Sequence, residues 1–151
     1  GDYTTEAGYS SAIAMLSESD PVTAIIAGND TMALGVLEAA KRRGIDVPGQ
    51  LSIVGIDDMP LAGSPLVDLT SIRLPAEVMA RTAARRLIER IRLGASTPPA
   101  RDVLPIQLVR RQSTGPIVLE PGMKGRLERR IESRPQPPNK KPLAGKSRKR
   151  L

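Results

Sequence analysis

The stretch that decides the fold is residues 22–56, VTAIIAGNDTMALGVLEAAKRRGIDVPGQLSIVGI. Its first apolar run is β-branched and continuous, and with the run LSIVGI at its end it is typical of strands buried on both faces of a parallel sheet. Between them, apolar residues recur at helical spacing over residues 31–43, and Gly44 follows a basic last turn. We therefore predict a strand, a helix and a second strand joined by a right-handed crossover.

Further elements are predicted on both sides of this unit. The N-terminal segment has helical spacing, with Thr4 or Thr5 as its cap. After a loop, LTSIRL predicts a short strand, and Pro75 suits the first turn of a helix that runs to about Leu93 with one apolar face. The run DVLPIQLVRR predicts a last strand, which Pro105 confines to an edge or a bulge. The fold class is α/β.

Composition excludes several classes of enzyme. The chain has no Cys and no His, so it lacks a thiol nucleophile, the commonest general base and the usual zinc ligands. No G-x-G-x-x-G or G-x-x-x-x-G-K-[ST] motif occurs. We therefore expect no enzyme activity, no cofactor and no metal. The core is expected to be aliphatic, since the only aromatic residues are Tyr3 and Tyr9.

The positive charge is confined to the C-terminal end. The formal net charge of the chain is +7, but residues 124–151 carry eleven Lys and Arg against two Glu, so residues 1–123 are slightly acidic. This end is also rich in Pro and poor in apolar residues, which is typical of disorder. We predict a domain over residues 1–115 and a disordered tail over 116–151. The tail leaves open nonspecific binding of nucleic acid, without aromatic residues to stack on bases.

Polar residues follow both strands of the central unit. Asn29 and Asp30 follow the first strand, and Asp57 and Asp58 follow the second. The carboxyl ends of parallel strands form one rim, where small ligands bind, so Asn29 and Asp57 are candidate contacts to a sugar or a nucleobase. Asp30 is the expected helix cap and Asp58 a turn or cap residue. Adjacent residues on an extended chain point to opposite sides, which disfavours a shared metal or proton.

Several segments together resemble the C-terminal half of the effector-binding domain of the lactose/galactose repressor (LacI/GalR) family. They are residues 23–58, then LTSIRLP with its helix, then LPIQLVRRQST, and they cover residues 1 to about 115. The resemblance implies part of a periplasmic-binding-protein-like fold, two Rossmann-like subdomains with parallel sheets. Residues 1 to about 69 would belong to the C-terminal subdomain, and the helix from Pro75 and the strand near Leu104 to Val109 to the N-terminal one. The chain would cross near residues 70–74 and return near 110–114.

The resemblance also implies roles for individual residues. Tyr3 matches the aromatic position that stacks on the effector, Asn29 a polar contact and Asp57 an acidic contact. Tyr3 is alternatively an ordinary surface tyrosine near the chain end.

The family dimerises through its C-terminal subdomain. Helix 31–43 is apolar on more than one face, so one face can pack on the sheet and another on a partner; a deeply buried helix is the alternative. The expected interface residues are Leu34, Leu37, Leu61 and Leu66.

The implied function is that of the effector-sensing and dimerisation portion of a cytoplasmic LacI-type regulator. It would bind a small polar effector, a sugar first of all, and would act on operator DNA only through a helix-turn-helix domain that these residues do not include. The family's hinge helix and the first half of its effector domain are also missing, and the basic tail lies outside the family pattern. We therefore expect weak effector binding by this chain alone, and no association with membranes, since no apolar stretch approaches the ~20 residues of a span.

The alternative is a periplasmic sugar-binding protein of an uptake system.

Overall fold

A computed structural model describes residues 2–19, 22–94, 101–116 and 118. Residues up to 118 form one compact unit. The predicted tail over 116–151 lies, apart from Pro116 and Val118, outside the described residues. The helices and strands are α1 (Thr5–Leu16), β1 (Ala24–Ile26), α2 (Asp30–Arg42), β2 (Ser52–Ile56), a 3-10 helix (Pro60–Gly63), β3 (Thr70–Arg73), α3 (Ala76–Leu93) and β4 (Gln107–Val109).

The four described strands form one sheet in the order β1-β2-β3-β4. β1 is parallel to β2 and β2 is parallel to β3, so the predicted strand-helix-strand unit is confirmed. β4 runs antiparallel to β3. It begins two residues after Pro105 and lies at the edge, where a residue without an N–H is tolerated.

The core lies between α2 and one face of the sheet. Ile25, Ile53 and Leu69 are buried on that face, and α1 packs on α2. The two helices approach so closely that only glycine fits at their contact. A Cβ atom on Gly35 would overlap the backbone of Thr5, and one on Gly8 would overlap the backbone of Met32. Thr4 caps α1 by accepting a hydrogen bond from the N–H of Ala7.

The described residues leave the other face of the sheet largely uncovered, and here the prediction for the first strand was wrong. β1 was expected to be buried on both faces, but Ile26 is 73% exposed while Ile25 is 7% exposed. In register with Ile26 on this second face lies Val54, which is half-buried. β1 is an edge strand in the described sheet, and α2 covers only the face that carries Ile25.

The helix predicted after Pro75 forms but buries none of its residues in the described chain. Its apolar side chains, including Leu87, Ile88 and Ile91, are exposed. The predicted crossing and return segments do run side by side: Arg111 donates its N–H to Oγ1 of Thr70, at 2.9 Å.

Candidate ligand-binding site

The N-terminus of α2 is capped by Asn29. Its backbone is extended, and its Oδ1 accepts a hydrogen bond from the N–H of Met32 at 2.8 Å. The expectation that Asp30 caps this helix was therefore wrong. Asp30 is instead 2% exposed, with its carboxylate turned toward the sheet, where Oδ1 accepts from Oγ of Ser71 at 2.6 Å. A buried carboxylate needs such donors, and Asp30 finds them outside its own helix.

Two of the three candidate ligand contacts touch each other. Asn29 donates from Nδ2 to the carbonyl oxygen of Tyr3 at 3.3 Å, and the Tyr3 ring lies beside Gly28. The Tyr3 side chain is 65% exposed. Among the described residues, Oδ1 of Asn29 serves the helix cap and one amide N–H serves Tyr3, which leaves the other N–H available to a ligand.

Asp57 lies at the same rim of the sheet as Asn29, beyond the carboxyl end of the neighbouring strand. The parallel register pairs Ile26 with Val54, and Asn29 and Asp57 each lie three residues beyond that pair, past the ends of their strands. Asp57 is exposed and donates its N–H to the carbonyl of Ile72 at 2.9 Å. The predicted rim of the sheet is thus present, with an acceptor and an amide on adjacent strand ends.

Three of the four described non-glycine residues with positive φ lie at this rim, and the fourth, Asp68, precedes β3. Tyr3 (φ 60°), Asp57 (φ 108°) and Asp58 (φ 53°) all adopt conformations that L-residues rarely occupy. Each such residue costs on the order of 1–3 kcal/mol, and such strain gathers where a binding site requires a particular orientation. The contacts around these residues must therefore hold them in place.

Asp58 is part of an ion-pair network and not a simple turn or cap residue. Its side chain is 4% exposed, and its two oxygens accept hydrogen bonds from Arg73 and Arg111. Burial by itself raises the pKa of Asp58, but the hydrogen bonds and positive charges of Arg111 and Arg73 outweigh burial and hold the pKa below its usual value. Asp58 is therefore ionised at neutral pH.

Sequence reasoning missed the partners of Asp30 and Asp58. Ser71, Arg73 and Arg111 lie 41, 15 and 53 positions from the carboxylates they contact. The available signal was the prediction that residues 70–74 and 110–114 lie together, since both segments carry an arginine. That prediction placed the arginines near one another but not near Asp58.

Three of the four predicted interface leucines line one groove. A cavity of about 510 Å³ is bordered by apolar and charged residues: Leu34, Leu37, Leu66, Ile45, Val47 and Val67, with Glu38, Lys41 and Asp46. Leu66 is 98% exposed. Leu61 lies on the 3-10 helix, is 47% exposed and is not among the residues that border this cavity.

Within the described ranges, no three His, Cys, Asp or Glu side chains are placed to hold a metal ion. In that same part of the chain, no helix has the length and apolar character needed to cross a membrane.

Comparison with known proteins finds a family and relatives that match the domain. The periplasmic binding protein-like domain family matches residues 1–114. The transcriptional regulator MalR of Streptomyces coelicolor is 39% identical over 124 residues, which are 82% of this chain and 34% of that protein. The chain thus spans about a third of the length of the curated relatives it matches.

Solved structures agree with the sequence relatives. The complex of the transcriptional regulator CelR with cellobiose is 35% identical, with a TM-score of 0.68 over 75% of this chain and 34% of that one. The lac repressor dimer bound to operator and an anti-inducer is 31% identical, with a TM-score of 0.65 over 76% of this chain and 39% of that one. These relatives are transcriptional regulators and not enzymes.

Proposed function

Because this chain belongs to the periplasmic binding protein-like domain family, as found in LacI-type transcriptional regulators, we propose that it is the effector-sensing portion of such a regulator. The observation that carries the proposal is the convergence of Asn29 and Asp57 at one rim of the sheet, with Tyr3 in contact with Asn29. The regulator relatives favour this function over the alternative of a sugar-uptake protein.

The proposed ligand is a small polyhydroxylated molecule, with sugars as the first class to test. The Asp57 carboxylate accepts hydrogen bonds from hydroxyl groups, and the remaining N–H of Asn29 donates to a hydroxyl or ring oxygen. The exposed ring of Tyr3 offers an apolar face of the kind that stacks on a sugar ring. The relative CelR binds cellobiose, which supports this ligand class.

In the full-length regulator, the ligand acts by favouring one of two conformations. A ligand shifts such an equilibrium only by the difference between its affinities for the two states. We propose that residues 1–115 form the sensing part and 116–151 a separate tail. DNA binding is assigned to a helix-turn-helix domain outside these residues, by likeness to the lac repressor, which was solved on its operator. Such a regulator works in the cytoplasm, where its DNA is.

We also propose that the regulator is a homodimer that buries Leu34, Leu37 and Leu66. The groove that these residues border exposes apolar side chains at the surface of the domain, and such surfaces mark contact sites. The lac repressor structure that this chain resembles is a dimer. Leu61, half-exposed on the neighbouring 3-10 helix, is proposed for the margin of the same interface.

The test of ligand binding is calorimetric titration of the full-length regulator with a panel of sugars and nucleosides that includes cellobiose and ribose. We expect one or more sugars to bind, and Asp57→Asn to weaken that binding by about tenfold or more, as expected for a hydrogen bond to a charged group. Glu18→Gln, which removes an exposed carboxylate near the end of α1, is the control and should not change binding. No binding of any panel member by the full-length protein would contradict the proposal.

The dimer is tested separately by sedimentation of the full-length regulator. Leu66→Glu places a charge at the most exposed of the four leucines, so it should dissociate the dimer with little effect on folding. Leu87→Glu, on the exposed face of α3, is the matched control. A dimer that persists in L66E would exclude this interface.

A further inference from the structure

One carboxylate joins two strand segments, β3 and the residues that follow β4. Oδ1 of Asp58 accepts from Nη2 of Arg111 at 2.7 Å, and Oδ2 accepts from Nε of Arg73 at 2.6 Å. Arg73 ends β3, and Arg111 follows β4. Arg111 also donates to the carbonyl of Leu69 at 2.7 Å, so its guanidinium is held from two sides. The position of Asp58 therefore depends on both segments.

The backbone around Asp58 is held by three further hydrogen bonds. Asp57 donates its N–H to the carbonyl of Ile72 at 2.9 Å, and Asp58 donates its N–H to Oγ of Ser71 at 3.0 Å. The next N–H, that of Met59, donates to Oδ2 of Asp30 at 2.7 Å. Three consecutive backbone N–H groups thus donate hydrogen bonds to residues of β3 or to the first residue of α2. These bonds hold the loop that carries Asp57 against both elements.

These hydrogen bonds explain how Asp57 and Asp58 both maintain a positive φ angle. Strained conformations persist only where the surroundings over-determine them. The side-chain contacts of Asp58 with two arginines supply charge-assisted bonds, which are the stronger class. Without the carboxylate, Arg111 would lose its charged partner, and only the backbone bonds would hold Asp57.

We propose that Asp58 is a positioning residue for ligand binding: through Arg73 and Arg111 it holds Asp57 in its ligand-binding conformation and makes that conformation depend on both strand segments. This inference rests on the proposed function, since it concerns the same rim. Asp58 itself does not contact the ligand, because its side chain is buried and both its oxygens are used. Its effect on affinity therefore passes through Asp57.

The test is a double-mutant cycle in the full-length regulator, titrated with cellobiose or, if cellobiose is not bound, with the tightest-binding sugar of the panel above. Asp58→Asn should weaken binding by about tenfold. Asp57→Gly removes the ligand-contacting carboxylate while tolerating positive φ. If Asp58 acts through Asp57, the double variant binds no more weakly than D57G alone. Independent effects, which multiply in the double variant, would overturn the proposal, because a general structural role would not produce this coupling.

A second measurement does not require a ligand. Hydrogen exchange of the amides of residues 57–59 should be faster in D58N and in Arg73→Gln, whose side chain is 53% exposed, so that loss of folding is not expected. Glu89→Gln, which breaks an exposed carboxylate–arginine pair on α3, is the matched control and should leave these amides unchanged. If the wild-type regulator binds no sugar of the panel, the proposed function is contradicted, but the hydrogen-exchange measurement still tests the positioning role of Asp58. Unchanged exchange in both D58N and R73Q would refute its positioning role.

Discussion

Helices α2 and α3 have similar amphipathic patterns but differ in what covers them. α2 buries six residues, Asp30, Ala33, Gly35, Val36, Ala39 and Ala40, against α1 and the sheet. None of the α3 residues is buried in the described chain, although its apolar side chains recur at the same helical spacing. The comparison shows that periodicity determines which face of a helix is apolar, while burial depends on whether another element lies opposite that face.

The two helices are consequently stabilised by different interactions. α2 gains from the removal of apolar surface from water and from tight contact with α1 at Gly8 and Gly35. α3 gains from helix propensity and from exposed ion pairs such as Arg81–Glu77 and Arg85–Glu89. Exposed pairs contribute about 0–1 kcal/mol each, so α3 should tolerate substitutions that α2 and its neighbours cannot.

The largest contrast is expected between two isoleucines. Ile53, on β2 under α2, is completely buried, and Ile91, on α3, is 73% exposed. Ile53→Ala should lower the free energy of unfolding of this chain by about 2–5 kcal/mol, because it leaves a cavity. Ile91→Ala should change it by less than about 0.5 kcal/mol, since Ala is the better helix former and no buried contact is lost. Urea denaturation measures both, and equal effects would mean that α3 is covered in solution.

The next contrast tests the contact between α1 and α2. A Cβ atom on Gly35 meets the backbone of Thr5 and Tyr9, which cannot move away without separating the helices. Gly35→Ala should therefore destabilise the chain by about 3 kcal/mol. Gly28→Ala is the matched control, since its Cβ atom would lie 3.4 Å from Sδ of Met32, an ordinary contact with a flexible side chain. A thermal melt of G35A that matches the wild type would show that the helices are further apart in solution.

A third prediction concerns the charge of Asp58. Its pKa is depressed in the folded protein, so its contribution is present above the unfolded value of about 4 and is lost as the pH falls through the lower folded value. Asp58→Asn should therefore cost about 2 kcal/mol at pH 7, and the difference from wild type should shrink toward pH 3. Urea denaturation at pH 7, 5 and 3 measures this change.

The control for Asp58 is again an exposed pair on α3. Glu89→Gln removes a carboxylate that pairs with Arg85, and the effect at pH 7 should stay below about 0.5 kcal/mol. If the cost of D58N is the same at pH 3 as at pH 7, the charge of Asp58 does not contribute, and the cost comes from the amide NH2 that replaces an acceptor oxygen facing the arginines.

The sequence predicted what depends on local pattern. The strand, helix and strand over residues 22–56 follow from apolar spacing and from the residues at the helix ends, and they form as expected. The environment of Asp58 depends instead on Arg111, 53 positions away, and on the register of β3 with β4. No local pattern encodes that register. The exposure of Ile26 also escaped prediction, because an apolar run does not say which of its faces another element covers.

The helix cap at Asn29 escaped prediction because two adjacent residues could both serve as the cap. Asn29 and Asp30 are both good capping residues, and either could begin α2. The choice falls on Asn29 because Asp30 is drawn toward Ser71 and the N–H of Met59, contacts that only the folded chain provides. Two equivalent candidates in sequence were therefore separated by tertiary structure.

The smallest predicted effect separates the two tasks of Asn29. Asn29→Ala removes the acceptor for the N–H of Met32 and should cost about 1 kcal/mol of stability, whereas Asn29→Ser keeps a capping oxygen and should stay within about 0.5 kcal/mol of wild type. Both variants lose the Nδ2 group that contacts Tyr3, so both should weaken sugar binding by the full-length regulator to the same degree. A melt of this chain and a sugar titration of the regulator measure the two quantities. If N29S binds sugar like the wild type, Asn29 is a cap alone, and the rim must bind its ligand through Asp57 and Tyr3.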